Sequence, residues 1–299
     1  MTQNHKTRET LILFRRKPLR RRDETLNVGM IGTGNMGRIL IDAFIEADAL
    51  TPSCLTIINR TAAKAHSIRD RYPSITVGET IEEVIQQSDL IFLCVKPLQI
   101  QPILQQYGAC LTREKCLVSI TSPITTSQLE QSVSCNVTRV IPSITNRALS
   151  GVSLCTFGKH CTAEWQERVM TLFQAISTPL IIDESITRVS SDIVSCGPAF
   201  FSYLLQRFIN AAVAETKITR EDATALATGM IIGMGKLLEK EVFTLPTLQE
   251  KVCVKGGITG EGIAVLEEET GDMFEHLLQR THAKFREDVE QINEQFKHS

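Results

Sequence analysis

The chain has 299 residues, of which 42% are apolar and 22% charged, with a formal net charge of −2. That length exceeds what one hydrophobic core usually supports, so two domains are expected. The near-neutral charge gives no reason to expect nucleic acid or an anionic membrane as partner. No apolar run approaches the ~20 residues that a membrane-spanning helix needs. The nine cysteines (Cys54, Cys94, Cys110, Cys116, Cys135, Cys155, Cys161, Cys196, Cys253) are scattered, with no Cys-x-x-Cys pair. An odd, dispersed set without a secretory signal reads as reduced thiols in the cytoplasm, with neither a disulfide framework nor a metal site.

Residues 1–25 stand apart. They carry Lys6, Arg8, Arg15, Arg16, Lys17, Arg20, Arg21 and Arg22, and their apolar patch, Leu11 to Phe14, is too short for a signal-peptide core. They read as a basic, disordered extension, or as a start-site artefact upstream of a fold that begins at Leu26-Asn27-Val28.

From Asn27 onward strand and helix patterns alternate. Val28–Ile31, Leu55–Ile58 and Leu90–Val95 are apolar strand-like runs, and Arg38–Ala47 and Ala62–Tyr72 have helical spacing. Leu117–Ile120, Thr138–Ile141, Val152–Thr156 and Leu180–Ile182 add further short strands. Such alternation implies βαβ crossovers and a mainly parallel sheet, so 26–184 is expected to be a Rossmann-type dinucleotide-binding domain. After about Asp183 long helical patterns take over: Ala199–Lys217, Arg220–Lys240 and Gly262–Phe296. Residues 185–299 are therefore expected to form an all-α domain. Gly229 and Gly233, four apart, would let two helices approach closely, within one subunit or between two.

The chemistry starts at Gly32-Thr33-Gly34-Asn35-Met36-Gly37. A G-x-G-x-x-G sequence is weak evidence alone, but this one joins an apolar strand directly to an amphipathic helix at the head of a βαβ unit. Gly32 would permit the tight turn, Gly34 the approach of a diphosphate, and Gly37 the packing of helix on strand; the helix N-terminus offers N–H groups to the anion. At the end of the second strand an NAD enzyme usually places an acid, whereas this chain has Asn59-Arg60-Thr61. Room and positive charge there favour a 2′-phosphate, hence NADP(H), with NAD(H) as the alternative and Lys64 as an extra donor. Val95-Lys96-Pro97 and Thr121-Ser122 follow later strands and should face the same crevice.

Further along lie Val95-Lys-Pro-Leu-Gln99, Val118-Ser-Ile120, Arg139-Val-Ile-Pro142, Cys196-Gly-Pro-Ala199 and Gly256-Gly257-Ile258-Thr259. With the glycine turn and Asn59-Arg60, and in this order, they make the chain resemble the pyrroline-5-carboxylate reductase family from about Val28 to Glu290. The resemblance implies reduction of a cyclic imino acid to proline with NAD(P)H, a homodimer or higher oligomer built through the C-terminal helices, and no metal. It implies cofactor contacts at Gly32, Gly34, Asn35, Met36, Gly37, Asn59, Arg60, Thr61, Val95, Lys96 and Pro97. It also implies substrate contacts at Lys255, Gly256, Gly257, Ile258 and Thr259, with Thr259 as the catalytic hydrogen-bond partner of the ring nitrogen.

The departures from the family fall in its substrate half. Its Ser-Pro-Gly-Gly-Thr-Thr loop reads Val254-Lys255-Gly256-Gly257-Ile258-Thr259, an Ala just beyond is Glu261, and its Met-Pro-Asn reads Ile141-Pro142-Ser143. Its Gly-Ser-Gly-Pro-Ala reads Ser195-Cys196-Gly197-Pro198-Ala199. This asymmetry is similar to that of the reductase-like paralogues associated with late-competence loci. Two readings from different classes follow: an imine reductase, and a dinucleotide-binding regulatory protein with weak or lost chemistry. A third, a β-hydroxyacid reductase, lacks the expected lysine motif on the first helix of the second domain. None of the six histidines has a catalytic partner in the family pattern.

Overall fold

The computed structural model describes residues 26–297; the predicted basic extension lies outside the described residues. The chain runs β1 (Val28–Ile31), α1 (Asn35–Glu46), β2 (Leu55–Ile58), α2 (Ala62–Arg71), β3 (Thr76–Val77), α3 (Ile81–Gln86), β4 (Leu90–Leu93) and α4 (Ile100–Tyr107). It continues with β5 (Cys116–Ser119), α5 (Thr126–Ser132), β6 (Asn136–Ile141), β7 (Val152–Phe157), α6 (Ala163–Gln174), β8 (Thr178–Ile181) and α7 (Thr187–Ser191). Then come α8 (Gly197–Glu215), α9 (Arg220–Glu239), α10 (Leu245–Val252), α11 (Ile258–Thr270) and α12 (Met273–Lys297).

The eight strands form one sheet in the order β3-β2-β1-β4-β5-β6-β7-β8, and only β6 and β7 pair antiparallel. This is a doubly wound, Rossmann-type α/β sheet, followed by helices, as the strand and helix periodicity predicts. Central parallel strands are covered on both faces and read as unbroken apolar runs. Leu90-Ile-Phe-Leu93 is such a run, and every residue of it is buried. Successive side chains serve opposite faces. Val28, Met30, Leu90 and Phe92 pack under Phe44, Trp165 and Phe173 on one side, with Phe44 and Phe173 edge-on at 5.4 Å. Ile31, Ile91, Leu93 and Leu117 face Ile100, Leu104, Leu129 and Ile292 on the other.

The chain divides into two compact units. One holds the described residues through Cys196 together with those from Thr281 onward; the other is Gly197–Arg280. The single boundary expected near 184 is thus replaced by two crossings. The reason is visible at Ile292, which is sealed into the core on one face of the sheet, so the last turns of α12 belong to the α/β unit. Within that unit a π-helical turn, Asp192–Cys196, precedes the first crossing. The Asp192 carboxylate there takes hydrogen bonds from Arg188 at 2.9 and 3.2 Å and from the Thr281 hydroxyl at 2.9 Å.

In the helical unit, α8 and α9 form an antiparallel pair around Ile209, Ala223 and Ala227, and Thr219 caps α9 by accepting the Asp222 N–H. The sequence reads Gly262–Phe296 as one helix. The structure breaks it between α11 and α12 at Gly271, whose φ of +41° ends the first helix, a left-handed conformation that glycine adopts without a Cβ penalty. The short α10, with Pro246 in its first turn, carried no periodic signal long enough to be read in advance.

Candidate functional site

In open α/β sheets ligands bind beyond the carboxyl ends of the strands where the strand order reverses. Here that point lies between β1 and β4, both parallel to their neighbours. The glycine turn leaves β1 and the Cys94–Pro97 segment leaves β4, so the sheet brings together the two segments that the sequence singled out.

The turn is pinned by close approach. Gly32 has φ +101°, and a Cβ on it would lie 2.5 Å from the Cys94 carbonyl oxygen. A Cβ on Gly37 would meet the Gly32 carbonyl oxygen at 2.4 Å. Both positions exclude a side chain for structural reasons. Gly34 differs: φ is −68° and no atom lies within 4 Å of its Cβ position. Gly34 is the N-cap of α1 and supplies no side-chain hydrogen bond, and the first turn of α1 contains no acid. A helix N-terminus left uncapped in this way presents N–H groups and a positive dipole end to an anion. Beside it the Thr33 hydroxyl is buried with no hydrogen-bond partner. An open cradle at Gly34, an uncapped helix start and an orphaned hydroxyl fit the diphosphate of a dinucleotide.

Asn59 connects this turn to the end of β2. Its Oδ1 accepts the Thr33 N–H at 3.0 Å and its Nδ2 donates to the Thr61 carbonyl at 3.1 Å, while the Gly32 N–H reaches the Ile58 carbonyl at 2.8 Å. The amide is thus committed to the protein itself, and Arg60, Thr61 and Lys64 remain exposed beside it. An aspartate could replace the acceptor but not the donor, and would add negative charge next to these cations.

On the other side, Val95 and Pro97 are half-buried and Lys96 is exposed, with the Lys96 N–H held by Gln99 Oε1 at 3.3 Å. Burial pushes the Cys94 thiol up to about 12, so it stays a neutral thiol at physiological pH. Thr121 is buried against the Ser119 hydroxyl at 3.1 Å, and Ser122 offers its carbonyl to Arg139. Arg139 is the largest fully buried side chain among the described residues, and no role was expected for it. Its guanidinium donates to the Ser122 and Ile124 carbonyls and to the Thr156 and Thr187 hydroxyls, with Glu184 at 3.6 Å. Burial lowers its pKa and Glu184 opposes that shift. This planar fork sets the loop after β5; an arginine ahead of an Ile-Pro pair was the available signal.

The expected substrate residues belong to the helical unit. Val254, Lys255, Gly256, Ile258 and Thr259 are exposed there, Gly257 is the N-cap of α11, and Gly256 has φ +74°. The Gly257 N–H closes the loop onto the Val254 carbonyl at 2.8 Å. Ile258 is 93% exposed and Val254 70%, so neither has a packing role within its own chain. Gly229 and Gly233 have nothing within 4 Å of their Cβ positions, so among the described residues no helix uses the close approach they permit. Among the described residues no cluster of His, Cys, Asp or Glu could hold a metal ion, and no helix is long and apolar enough to cross a membrane.

Comparison with known proteins agrees with this arrangement. A family described as pyrroline-5-carboxylate reductase dimerisation matches residues 184–288, and one described as NADP oxidoreductase, coenzyme F420-dependent, matches 27–123. ComE operon protein 4 of Bacillus subtilis is 56% identical over 271 residues, covering 91% of this chain and 99% of that protein. The chain belongs to the pyrroline-5-carboxylate reductase family. Pyrroline-5-carboxylate reductase 3 of the same organism is 28% identical, covering 90% and 98% of the two chains. The NADP-bound pyrroline carboxylate reductase of Plasmodium falciparum has the same fold, with a TM-score of 0.76 at 21% identity over 90% and 98% of the chains. The enzyme from Coxiella burnetii gives 0.77 at 19% identity over 90% and 99%.

Gly34 separates fold from function. Gly34→Ala should leave stability within about 0.5 kcal/mol of wild type in urea denaturation, because φ is ordinary and the space is empty. If a diphosphate is held against this turn, the new methyl should weaken NADPH binding by roughly tenfold or more in fluorescence titration. Unchanged affinity would remove the diphosphate from this turn.

Proposed function

We propose that the protein is an NADP(H)-dependent reductase of a cyclic imino acid of the pyrroline-5-carboxylate type, acting as a homodimer or higher oligomer in the cytoplasm. The observation that carries the reading is the open, uncapped turn at Gly34, joined through Asn59 to an exposed cationic edge. Gly32, Gly34, Asn35, Met36 and Gly37 would hold the diphosphate; Arg60 and Thr61, with Lys64, the 2′-phosphate; and Val95, Lys96 and Pro97 the nucleotide's other flank. The bound nicotinamide supplies a hydride to the imine carbon. For the substrate, the Gly256 N–H and the Lys255 ammonium offer donors to a carboxylate beside Gly257, Ile258 lines the loop, and the Thr259 hydroxyl serves the ring nitrogen.

A second reading is supported by a specific observation: 56% identity to ComE operon protein 4 against 28% to a protein named as a reductase. In that reading the dinucleotide site persists in a regulatory paralogue. The exposed Val254 and Ile258 and the acidic Glu261 are where the family's substrate loop changes character. Purified protein incubated with NADPH and pyrroline-5-carboxylate distinguishes the two. Oxidation of NADPH, with rescue of a proline auxotroph, is expected; tight NADPH binding without turnover would leave the regulatory reading standing alone.

The 2′-phosphate assignment has its own test. Arg60→Ala removes one charge-assisted contact of about 1.5–3 kcal/mol. NADPH affinity should fall roughly 10- to 100-fold while NADH affinity barely changes; equal losses would refute the assignment.

The oligomer rests on the helical unit. Its core is small, yet Leu226, Met230, Ile231 and Ile232 of α9 and Phe201, Tyr203 and Phe208 of α8 are exposed, next to the unused small-residue positions Gly229 and Gly233. An apolar face of this extent on a helical pair marks an association surface. Light scattering should give a dimer or larger; a stable monomer at micromolar concentration would sink the proposal.

A further inference from the structure

At the opposite end of the sheet from the glycine turn, two thiols meet. Cys116 opens β5, and Asn136, which opens β6, stands beside it in register. Asn136 Oδ1 accepts the Thr162 N–H at 2.9 Å, and the Gly158 N–H reaches the Val137 carbonyl at 2.8 Å, so the turn after β7 is tied down over the start of both strands. Cys161 sits in that turn. The Thr138 hydroxyl lies 3.8 Å from the Cys116 sulfur and 3.6 Å from the Cys161 sulfur, so a single side chain touches both thiols. Both belong to the core on the Trp165 side of the sheet, whereas Cys135 packs into the core on the other side.

We propose that Cys161 and Cys116 are a peroxide-sensitive pair that closes reversibly to an intramolecular disulfide. The two sulfurs differ in access: Cys161 is 7% exposed, in a turn at the surface, and Cys116 is sealed. They differ in acidity as well. Burial raises the Cys116 thiol, whereas the Cys161 thiol is lowered by the neighbouring Cys116 thiol and by the Thr138 hydroxyl, which together outweigh the burial that raises it. The opposing charge is Glu130, whose carboxylate accepts the His160 N–H at 2.8 Å. The thiolate is the reactive form, so Cys161 attacks first. Its sulfur displaces one oxygen of hydrogen peroxide, giving a sulfenic acid and, after proton uptake, one water. The Cys116 sulfur then attacks the Cys161 sulfur, forming the S–S bond and releasing the second water. Two thiols supply the two electrons that reduce one peroxide to two waters. A dithiol reverses the reaction.

Folded full-length protein is treated with hydrogen peroxide, its free thiols are blocked with N-ethylmaleimide under denaturing conditions, and a non-reducing digest is mapped by mass spectrometry. A peptide linking Cys116 to Cys161, lighter by the two thiol hydrogens and abolished by dithiothreitol, is expected in wild type and in Cys135→Ala but not in Cys161→Ala. A link through Cys135 overturns the proposal. So does Cys161 oxidised to sulfinic acid beside a free Cys116, or both thiols unreacted. The wild-type map decides the matter without any variant, and its outcome is independent of cofactor and substrate.

Discussion

The turn after β1 has to pass within contact distance of the end of β4, and much of the α/β unit follows from that one approach. β1 and β4 are hydrogen-bonded neighbours at the point where the strand order reverses, so whatever leaves β1 must clear the Cys94 carbonyl. Only a residue without a Cβ does so, and Gly32 also carries the positive φ that bends the chain back. The helix that follows lies so close that Gly37 nearly touches the Gly32 carbonyl. With α1 fixed this tightly, its N-terminal N–H groups are aimed into the crevice before any ligand arrives, which is preorganisation in its simplest form.

Asn59 extends the constraint to a second segment. A carboxylate at the end of β2 would look outward to a ribose, whereas this amide turns inward and uses both its acceptor and its donor on backbone groups of the turn and of Thr61. One neutral side chain thereby holds the glycine turn and the cationic edge in a single frame and leaves Arg60 facing solvent. Arg139 does the equivalent for the loop after β5: a buried guanidinium gathers two carbonyls and two hydroxyls that would otherwise be unsatisfied donors and acceptors in the core.

The helical unit is built on the opposite principle. Its own core is a few small and medium residues between α8 and α9, and its large apolar side chains point outward. The unit falls within the residues matched by the family's dimerisation model, and the loop before α11 sits in it, with Val254, Lys255, Ile258 and Glu261 all exposed. The loop's side chains are exposed or half-buried, so it can change without disturbing a core.

Local signals were enough for the sheet and the turn. Val28–Ile31 and Leu55–Ile58 were legible to the residue because buried parallel strands are continuous apolar runs, and the glycine spacing pointed to a diphosphate because backbone geometry at those positions is dictated locally. The small β3 and α10 were too short to leave a period. What only the tertiary structure decided depends on residues far apart in sequence. It bonded Asn59 to Thr33 across two strand ends, gathered the loop carbonyls onto Arg139, and returned the end of α12 to the α/β core through Ile292. It also brought Cys116 and Cys161 onto the one Thr138 hydroxyl. A chain encodes period and turn chemistry in neighbouring residues, but long-range partners are selected by packing, which no local pattern records.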